Sequence, residues 1–461
     1  MSDIVISKLE HTLRVTLNHN QSQEITRLFH EIRCRDGLSD DDIIALITQD
    51  KAIEKNNGKG VFLAIKQKLI AQRFPLATNH GRIAPHKVYL PPVRPALSGT
   101  IRPIVPFSPQ RIYVEQGAGQ DYLSQRFRAL FPSALWEEIE SLKKYLQQHP
   151  FRLNQLKQPA LFLLREHWDF IKPCPCTAGH VSCNYWIFNL GFGCPYDCSY
   201  CFLQQYTNAP GILLPSNLDD FFNRFADFIK RFSRPIRVGT GEFCDSLALD
   251  HLTGYSTQLV DFFRHQPVLF ELKTKSDNIA KLLTVAAAPN IVIAWSLNPQ
   301  AVIDQEEFGA ASLAARLKAA AAVQRHGYSL AFHFDPIIPA PGWEDSYQEV
   351  LELLYQHITP PVRWISLGTL RGTRALKTIA EQRFPESSIW YGELLLGRDK
   401  KLRYAQSLRK DVYRRLCQLI RKFDAKTPLY LCMEDDACWQ TMSTADISSA
   451  GVEKSLLSSC P

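Results

Sequence analysis

Three of the twelve cysteines in this 461-residue chain lie in one short stretch, GCPYDCSYCFLQ, at Cys194, Cys198 and Cys201. At this cysteine content, chance predicts the spacing C-x3-C-x2-C only about 0.01 times, so the spacing needs a chemical reason. Structural zinc prefers four ligands from the protein, whereas three thiolates on a [4Fe-4S] cluster leave one iron open for a small molecule. The motif therefore favours an iron–sulfur cluster, with a zinc loop as the alternative.

From about residue 181 onward, short apolar runs alternate with helical stretches, and the cysteine motif follows the first run. The runs are NYWIFNL, PIRVGT, PVLFELKT, NIVIAWSLN, YSLAFHFDPII and VRWISLGT, and the candidate helices cover 215–232, 254–265, 276–287, 309–326 and 343–358. Continuous apolar strands separated by helices predict a parallel sheet covered on both faces. Six units are too few for a closed eight-unit barrel. The sequence therefore predicts an α/β fold with a partial (β/α)6 TIM-like barrel, whose chemistry lies at the carboxyl ends of its strands.

The remaining segments differ from this pattern in composition. Residues 1–72 predict a mainly helical N-terminal region, because apolar residues recur there at three- and four-residue steps. Residues 73–110 are rich in proline with interspersed Arg and Lys, which predicts a linker or an extended strap. We expect the core of the fold over residues 111–425 and a cysteine-containing segment and tail over residues 426–461.

The overall composition is that of an ordinary soluble globular protein, with 45% hydrophobic and 21% charged residues. The chain contains no run of eighteen apolar residues, and its N-terminus lacks the apolar region of a secretory signal. We therefore expect a cytoplasmic protein without a membrane partner, in which cysteines are thiols or ligands. The net charge of +7 permits an anionic partner such as DNA without requiring one.

The pattern C-x3-C-x-aromatic-C, with Tyr200 as the aromatic residue, resembles the radical S-adenosylmethionine (SAM) superfamily. The resemblance implies that the three motif cysteines hold a [4Fe-4S] cluster whose open iron chelates the methionyl amine and carboxylate of SAM. An external one-electron donor such as flavodoxin or ferredoxin would then allow SAM to be cleaved to a 5′-deoxyadenosyl radical. Gly241 and Glu242, within Gly-Thr-Gly-Glu, are similar to the signature that binds the ammonium group of SAM.

Polar residues after later strands fit the same resemblance. Lys275 suits the carboxylate of SAM, and Ser296 and Asn298 suit its ribose or its amino-acid end. Backbone groups around Asp335 suit the edge of the adenine, and Tyr200 is placed beside the cofactor among the catalytic residues. These residues stand in barrel order at successive strand ends, where a barrel collects its functional side chains.

Within the superfamily, residues 111 to about 425 resemble the spore photoproduct lyase family. The resemblance is carried by RIYVEQGAGQDYLSQRF, CPYDCSYCFLQQY, FCDSLALDHLT, KTKSDN, WSLN and PAPGWEDSY. The family repairs a methylene-bridged thymine dimer in DNA, where a cysteine returns a hydrogen atom after the cross-link breaks. The resemblance thus implies a carbon–carbon lyase of DNA repair. Two alternatives stay open: a radical SAM enzyme with a different substrate, and a non-catalytic iron–sulfur or zinc protein that binds nucleic acid.

The chain departs from the family pattern at three places. Glu242 stands at the position of the hydrogen-returning cysteine, and Phe202 replaces a tyrosine of the hydrogen-transfer route. The segment 397–411, GRDKKLRYAQSLRKD, is shorter than the basic aromatic hairpin that the family wedges into DNA. Cys244 follows Glu242 by two residues and would share its face if the chain is extended there, which predicts Cys244 as a substitute hydrogen donor.

Five further cysteines lie on either side of the barrel segment, at Cys174, Cys176, Cys183, Cys432 and Cys438. Their spacing matches no known ligand set. Free cysteines are among the most buried residue types, which favours buried thiols over ligands of a second cluster or metal site. Both possibilities stay open.

Overall fold

Seven parallel strands form the main sheet of the protein, which curls into a half barrel. In chain order the strands are β1 (Tyr185–Phe188), β2 (Ile236–Gly239), β3 (Val268–Thr274), β4 (Ile291–Ser296), β5 (Ser329–Ile337), β6 (Ile365–Thr369) and β7 (Leu429–Leu431). Each strand pairs with its neighbours in this order, and the short strand Ile171–Pro173 pairs antiparallel with β1. The computed structural model describes residues 2–50, 53, 59–78, 84–93, 107–157, 159–165, 170–176, 180–441 and 451–457.

The six predicted strands all form, and the α/β partial barrel is confirmed. Strand β4 shows why the apolar runs predicted them, since all six of its residues are buried between layers. The seventh strand, Leu429–Leu431, lies in the segment that we separated from the core at residue 426. It pairs with β6 and completes one edge of the sheet.

Helices cover the outside of the half barrel. They are Leu218–Ile229, Tyr255–Phe263, Gln300–Glu306, Leu313–Arg325, Trp343–His357, Arg374–Arg383 and Gln406–Phe423. The predicted helix over 276–287 is wrong, because only the single 3-10 turn Leu282–Thr284 forms there. Ser276 accepts a hydrogen bond from the backbone N–H of Asn278, whose amide in turn donates to the carbonyl of Ala248. These local bonds compete with helix formation.

A second, smaller sheet of four parallel strands packs beside the half barrel. Its strands, in spatial order, are Leu135–Ile139, Arg111–Glu115, Ala160–Leu164 and Gly211–Pro215. Two backbone hydrogen bonds of 3.0 and 2.8 Å join Leu213 of this sheet to Phe192, just before the cysteine motif. The small sheet therefore supports the start of the motif loop.

The N-terminal region is helical, as predicted. Its helices are Ser2–Leu13, His19–Asp36, Asp40–Thr48, Lys59–Arg73 and Pro75–Thr78, and the first four enclose an apolar core of their own. Arg73 is buried, bonds Glu31 at 2.9 Å and points towards the carbonyl of Gly392 at 3.5 Å. Within the proposed linker 73–110 the described residues include only short turns of helix, such as Pro85–Lys87, and residues 79–83 and 94–106 lie outside the described residues.

The C-terminal part adds a short hairpin and two short helices. Strands Leu394–Leu396 and Leu402–Tyr404 form the hairpin, and Arg371–Gly372 pairs with its second strand. This hairpin occupies part of the segment 397–411, and the rest of that segment starts the long helix Gln406–Phe423. In the described part of the chain, no helix has both the length and the apolar character needed to cross a membrane.

Candidate active site

A cavity of about 240 Å³ lies at the carboxyl ends of the half-barrel strands, where the sequence predicted the chemistry. Its walls include the motif loop, the loop after β2 and the loop after β7. The charged residues on these walls are Glu242, Glu271, Lys273, Asp335, Arg371 and Lys401. The cavity thus combines acidic and basic groups in a partly enclosed space, as ligand sites commonly do.

The motif loop is held by its own backbone turn and by contacts to two other elements. Gly193 has φ of +97°, a conformation that favours glycine, and so turns the chain into the loop. The Asp197 carboxylate accepts two hydrogen bonds of 2.9 Å from the guanidinium of Arg383. The backbone of Cys198 pairs antiparallel with Glu307. These contacts fix the cysteines independently of any bound group.

All three motif thiols line a second cavity of about 110 Å³, and Cys201 borders the large cavity as well. Among the described residues around this second cavity there is no fourth cysteine and no histidine, which disfavours a four-ligand structural zinc site. Burial raises the pKa of each thiol, and nearby carboxylates raise it further. A bound metal centre would deprotonate these thiols despite their burial. The donor set therefore fits a [4Fe-4S] cluster with one open iron.

Glu307, a fully buried carboxylate, organises the residues behind the motif loop. It accepts hydrogen bonds from Lys275 Nζ at 3.1 Å, from Asn298 Nδ2 at 2.9 Å and from the Tyr200 hydroxyl. The guanidinium of Arg316 donates to its other oxygen at 2.6 Å. Burial alone raises the pKa of Glu307, but the charges of Arg316 and Lys275 outweigh burial and hold that pKa well below its usual range. Tyr200, Lys275 and Asn298, which the sequence predicted as site residues, thus all donate hydrogen bonds to Glu307, which sequence analysis missed.

Glu306 lies next to Glu307, but its pKa is shifted in the opposite direction. It is buried and accepts hydrogen bonds from the hydroxyls of Ser199 and Ser387. Burial is the main reason why its pKa is raised from 4.5 to about 7. A buried carboxyl with no cation beside it favours its neutral form.

We expect this carboxyl to make folding depend on pH. Its stabilisation is complete below the unfolded pKa and is lost as the pH rises through about 7, because the folded state must then hold a buried charge. Between pH 5 and 8.5 the wild type should lose roughly 3 kcal/mol of unfolding free energy relative to Glu306→Gln. Urea unfolding of both proteins across this range measures the difference. If the unfolding free energies of the two proteins changed with pH in the same way, the prediction would be contradicted.

Gly241 and Glu242 line the large cavity beside Lys273 of β3. A Cβ at position 241 would lie 2.7 Å from the Cβ of Lys273, so only glycine lets the loop approach this strand. Burial opposes the charge of Lys273, but the carboxylates of Glu242, Glu271 and Asp335 outweigh burial and raise its pKa. Glu242 is therefore an anion of the cavity wall with a cation as its neighbour.

Glu242→Gln is expected to weaken SAM binding by roughly 10- to 100-fold, because one charge-assisted hydrogen bond to the ammonium group contributes roughly 1.5–3 kcal/mol. Calorimetric titration of SAM into the reconstituted protein measures the affinity. Glu386→Gln, at an exposed position, is the matched control and should bind SAM like the wild type. Equal affinities for all three proteins would contradict the role of Glu242.

The other predicted cofactor residues fall into two groups. Asp335 lines the large cavity and accepts hydrogen bonds of 2.8 and 3.0 Å from the guanidinium of Arg371. Ser296 lies with the Glu307 group, since its carbonyl accepts a hydrogen bond of 2.9 Å from Arg316. Direct contacts of Ser296, Asn298, Lys275 and Asp335 with SAM stay predictions.

Cys244 does not border the large cavity. The backbone bends over residues 242–244 and does not continue extended from β2, so the condition for a shared face with Glu242 is not met. The Cys244 thiol donates to the carbonyl of Thr240 at 3.6 Å and borders a small separate cavity with Leu190 and Tyr255. Its role as a hydrogen donor stays a prediction that its position does not support.

Four of the five remaining cysteines line the large cavity: Cys174, Cys176, Cys183 and Cys432. A hydrogen bond from the Cys174 thiol is the main reason why the pKa of Cys176 is lowered to about 7. Cys438 lies apart from them, beside Glu434 and Asp435, with ligand atoms within 4.8 Å of one another. The guanidinium of Arg409 already contacts this trio, at 3.7 Å from the Cys438 sulfur and 3.1 Å from Glu434. A cation in that position disfavours a metal ion.

Comparison with known proteins gives a consistent result. Residues 176–420 match the family model of spore photoproduct lyase. A spore photoproduct lyase of Geobacillus sp. (strain Y412MC61) is 30% identical over 210 residues, which are 43% of this chain and 60% of that protein. The spore photoproduct lyase of Bacillus subtilis (strain 168) is 27% identical over 301 residues, 62% of this chain and 84% of that protein. The match thus spans less than two thirds of the Geobacillus relative.

Solved structures share the fold. A spore photoproduct lyase double mutant with bound AdoMet and dinucleoside spore photoproduct superposes with a TM-score of 0.60 at 24% identity, covering 72% of this chain and all of that one. A spore photoproduct lyase complexed with dinucleoside spore photoproduct also has a TM-score of 0.60, at 23% identity over 71% of this chain and 99% of that one. The uncovered part of this chain leaves room for the N-terminal helical region.

Proposed function

Because the chain belongs to the spore photoproduct lyase family, whose members are radical SAM enzymes, we propose that it is itself a radical SAM lyase. Cys194, Cys198 and Cys201 would hold a [4Fe-4S] cluster, and SAM would occupy the adjoining large cavity. When bound and supplied with one electron by an external donor, the cluster and SAM would provide a 5′-deoxyadenosyl radical for abstraction of a hydrogen atom from the substrate. The observation that carries the proposal is that Cys201 borders both cavities, so a cluster held by the motif would lie next to SAM in the large cavity.

The protein's own residues would bind and orient SAM. Glu242 would accept the ammonium group of SAM from the cavity wall. Tyr200, whose hydroxyl is held by Glu307, presents its ring to the large cavity. Lys275 lies with its Nζ 5.7 Å from the centre of that ring and adds positive charge behind it. Lys275 is paired with Glu307 and borders neither cavity, so its contact with the carboxylate of SAM stays part of this proposal.

For the substrate we propose a thymine photoproduct in DNA. Lys401, in the hairpin turn between Leu394–Leu396 and Leu402–Tyr404, lines the cavity and stands over the ring of Phe202 at 5.5 Å. A lysine in this position suits the phosphate of a nucleic acid. The hairpin is short, however, and it is the element that resembles the DNA wedge of the family.

A radical SAM enzyme with a different substrate is the second candidate, and two residues favour it. Glu242 occupies the position at which the family resemblance expects a hydrogen-returning cysteine, and a carboxylate offers no weak bond to hydrogen. Phe202 has no O–H to pass a hydrogen atom onward. Cleavage of SAM would survive both changes, whereas repair of the dimer would need another hydrogen donor.

Anaerobic reconstitution with iron and sulfide, followed by SAM and dithionite, tests the proposal. Formation of 5′-deoxyadenosine, together with repair of dinucleoside spore photoproduct followed by chromatography, is the expected result. Formation of 5′-deoxyadenosine without repair would favour the second candidate. A colourless zinc protein that leaves SAM intact would overturn both and leave a non-catalytic, nucleic-acid-binding protein.

A further inference from the structure

Four cysteines meet where the two open edges of the half barrel approach each other. We call them the edge cysteines: Cys174, Cys176, Cys183 and Cys432. Cys174 follows the strand Ile171–Pro173 at one edge of the sheet, and Cys432 follows β7 at the other edge. More than 240 residues separate these two cysteines in sequence, so only the curl of the sheet brings them to one cavity.

Backbone hydrogen bonds hold the three segments in place. The N–H of Cys174 donates to the carbonyl of Tyr185 at 2.8 Å. The N–H of Val181 donates to the carbonyl of Glu434 at 3.1 Å and so ties the loop before β1 to the loop after β7. The N–H of Cys432 donates to the carbonyl of Leu367 in β6 at 2.8 Å. The thiols are therefore positioned by the fold and not by chance contacts of mobile side chains.

Two residues with a left-handed backbone conformation directly follow edge cysteines. Asn184 comes after Cys183 with φ of 52°, and Met433 comes after Cys432 with φ of 54°. Residues other than glycine occupy this region rarely, and the conformation is costly for a residue such as methionine. Backbone strain of this kind concentrates at functional sites. Asparagine enters this region readily, so only the conformation of Met433, next to Cys432, is costly.

The edge cysteines do not form the compact ligand set that a single tetrahedral metal ion needs, although the thiols of Cys174 and Cys176 are close enough to share a hydrogen bond. A tetrahedral zinc ion with Zn–S bonds of about 2.3 Å needs sulfur atoms about 3.8 Å apart. Within the described part of the chain, no three of the edge sulfurs all lie within 4.8 Å of one another. The same is true of the three motif cysteines, for which an iron–sulfur cluster is proposed. An iron–sulfur cluster, which is larger than a single metal ion, suits both the motif cysteines and the edge cysteines.

Cations and carboxylates both lie beside the edge cysteines. Glu242 interacts electrostatically with Cys174 and Cys176, and Asp335 does so with Cys432, so the cations would offset only part of the negative charge of four thiolates. The guanidinium of Arg371 lies 3.9 Å from the sulfur of Cys432. Lys273 interacts electrostatically with the same thiol, and Arg237 does so with Cys183. Charge compensation by buried cations is a general requirement for anionic groups in a protein interior.

We propose that the edge cysteines bind a second iron–sulfur cluster, ligated by four thiolates, which joins the two open edges of the half barrel. Each thiol loses its proton to solvent on binding iron, and no redox change of the sulfur is involved. With four protein ligands, this cluster has no open iron and cannot chelate SAM. It would take up part of the large cavity and so limit the space left for SAM and the substrate.

Iron and sulfide counts on the anaerobically reconstituted full-length protein test the proposal. The wild type should hold about eight irons and eight sulfides per chain. A variant with alanine at all three motif cysteines should keep about four irons, and its EPR signal after reduction should not change with SAM. A variant with alanine at Cys174, Cys183 and Cys432 should also keep about four irons, and its signal should still respond to SAM. Cys438→Ala, which leaves both sets intact, should keep about eight.

The outcomes separate this inference from the proposed function. About four irons in the wild type and none in the motif variant would overturn the second cluster and leave the radical SAM proposal intact. Full iron content in the motif variant would instead overturn the motif ligands. One zinc per chain, lost only in the variant with alanine at Cys174, Cys183 and Cys432, would overturn the assignment of an iron–sulfur cluster to the edge cysteines. If either variant fails to fold by circular dichroism, Mössbauer spectra of the wild type decide, since two clusters should appear and only one should respond to SAM.

Discussion

Alanine at Cys194, Cys198 or Cys201 is expected to abolish the SAM-responsive cluster and to lower formation of 5′-deoxyadenosine by more than about 100-fold. Changes that merely reorient metal ligands already cost 10- to 100-fold, and here a ligand itself is lost. The second cavity contains no cysteine or histidine among its described residues that could replace the missing sulfur. Only two protein thiolates would remain, which is too few to hold a cubane whose fourth iron is open.

Iron content, visible absorption and 5′-deoxyadenosine formation after anaerobic reconstitution measure this loss. Cys34→Ala is the matched control, because Cys34 is an exposed cysteine of the N-terminal helices, far in sequence from the motif. That variant should behave like the wild type in all three measurements. A motif variant that still cleaves SAM at the wild-type rate would refute the ligand assignment.

The half barrel was predictable because its strands are buried on both faces. Runs such as the one that forms β4 are apolar at successive positions, which distinguishes them from half-buried strands and from amphipathic helices. The absence of a helix over 276–287 was not predictable, because hydrogen bonds of the Ser276 and Asn278 side chains compete there with helix formation. The small sheet was also missed, because its outer strand Leu135–Ile139 is largely exposed and carries no continuous apolar run.

In the candidate site, too, residues that are close in sequence were predictable, whereas residues brought together from distant parts of the chain were not. The motif cysteines were predictable because their ligand spacing is contained in eight residues. Glu307 was not, because it lies more than 100 residues after Cys198 and reaches the motif loop only through an antiparallel backbone pairing. The edge cysteines had no recognisable spacing for the same reason, since one of them comes from the opposite edge of the sheet. Cys244 shows the converse, in that a local rule failed where the chain bends.

Glu307→Gln is expected to destabilise the protein by about 3–5 kcal/mol, because it removes the negative charge that pairs with two buried cations. Arg316 is fully buried and Lys275 is 16% exposed, so neither can regain full hydration when its partner is lost. The glutamine keeps the size of the side chain and can still accept one hydrogen bond. The loss of stability would therefore result from removal of the charge and not from a cavity left by a smaller side chain. SAM affinity should fall as well, since Tyr200 and Lys275 lose the group that orients them.

Urea unfolding of the protein before reconstitution measures the change in stability, with Glu344→Gln as the matched control. Glu344 forms an ion pair with Arg415 at the surface, where both side chains are about 40% exposed, and such a pair contributes about 0–1 kcal/mol. Lys275→Met combined with Glu307→Gln should cost less than the sum of the single changes, because it removes one of the two uncompensated cations. A loss no larger than that of Glu344→Gln would show that Glu307 does not hold the residues behind the motif loop together.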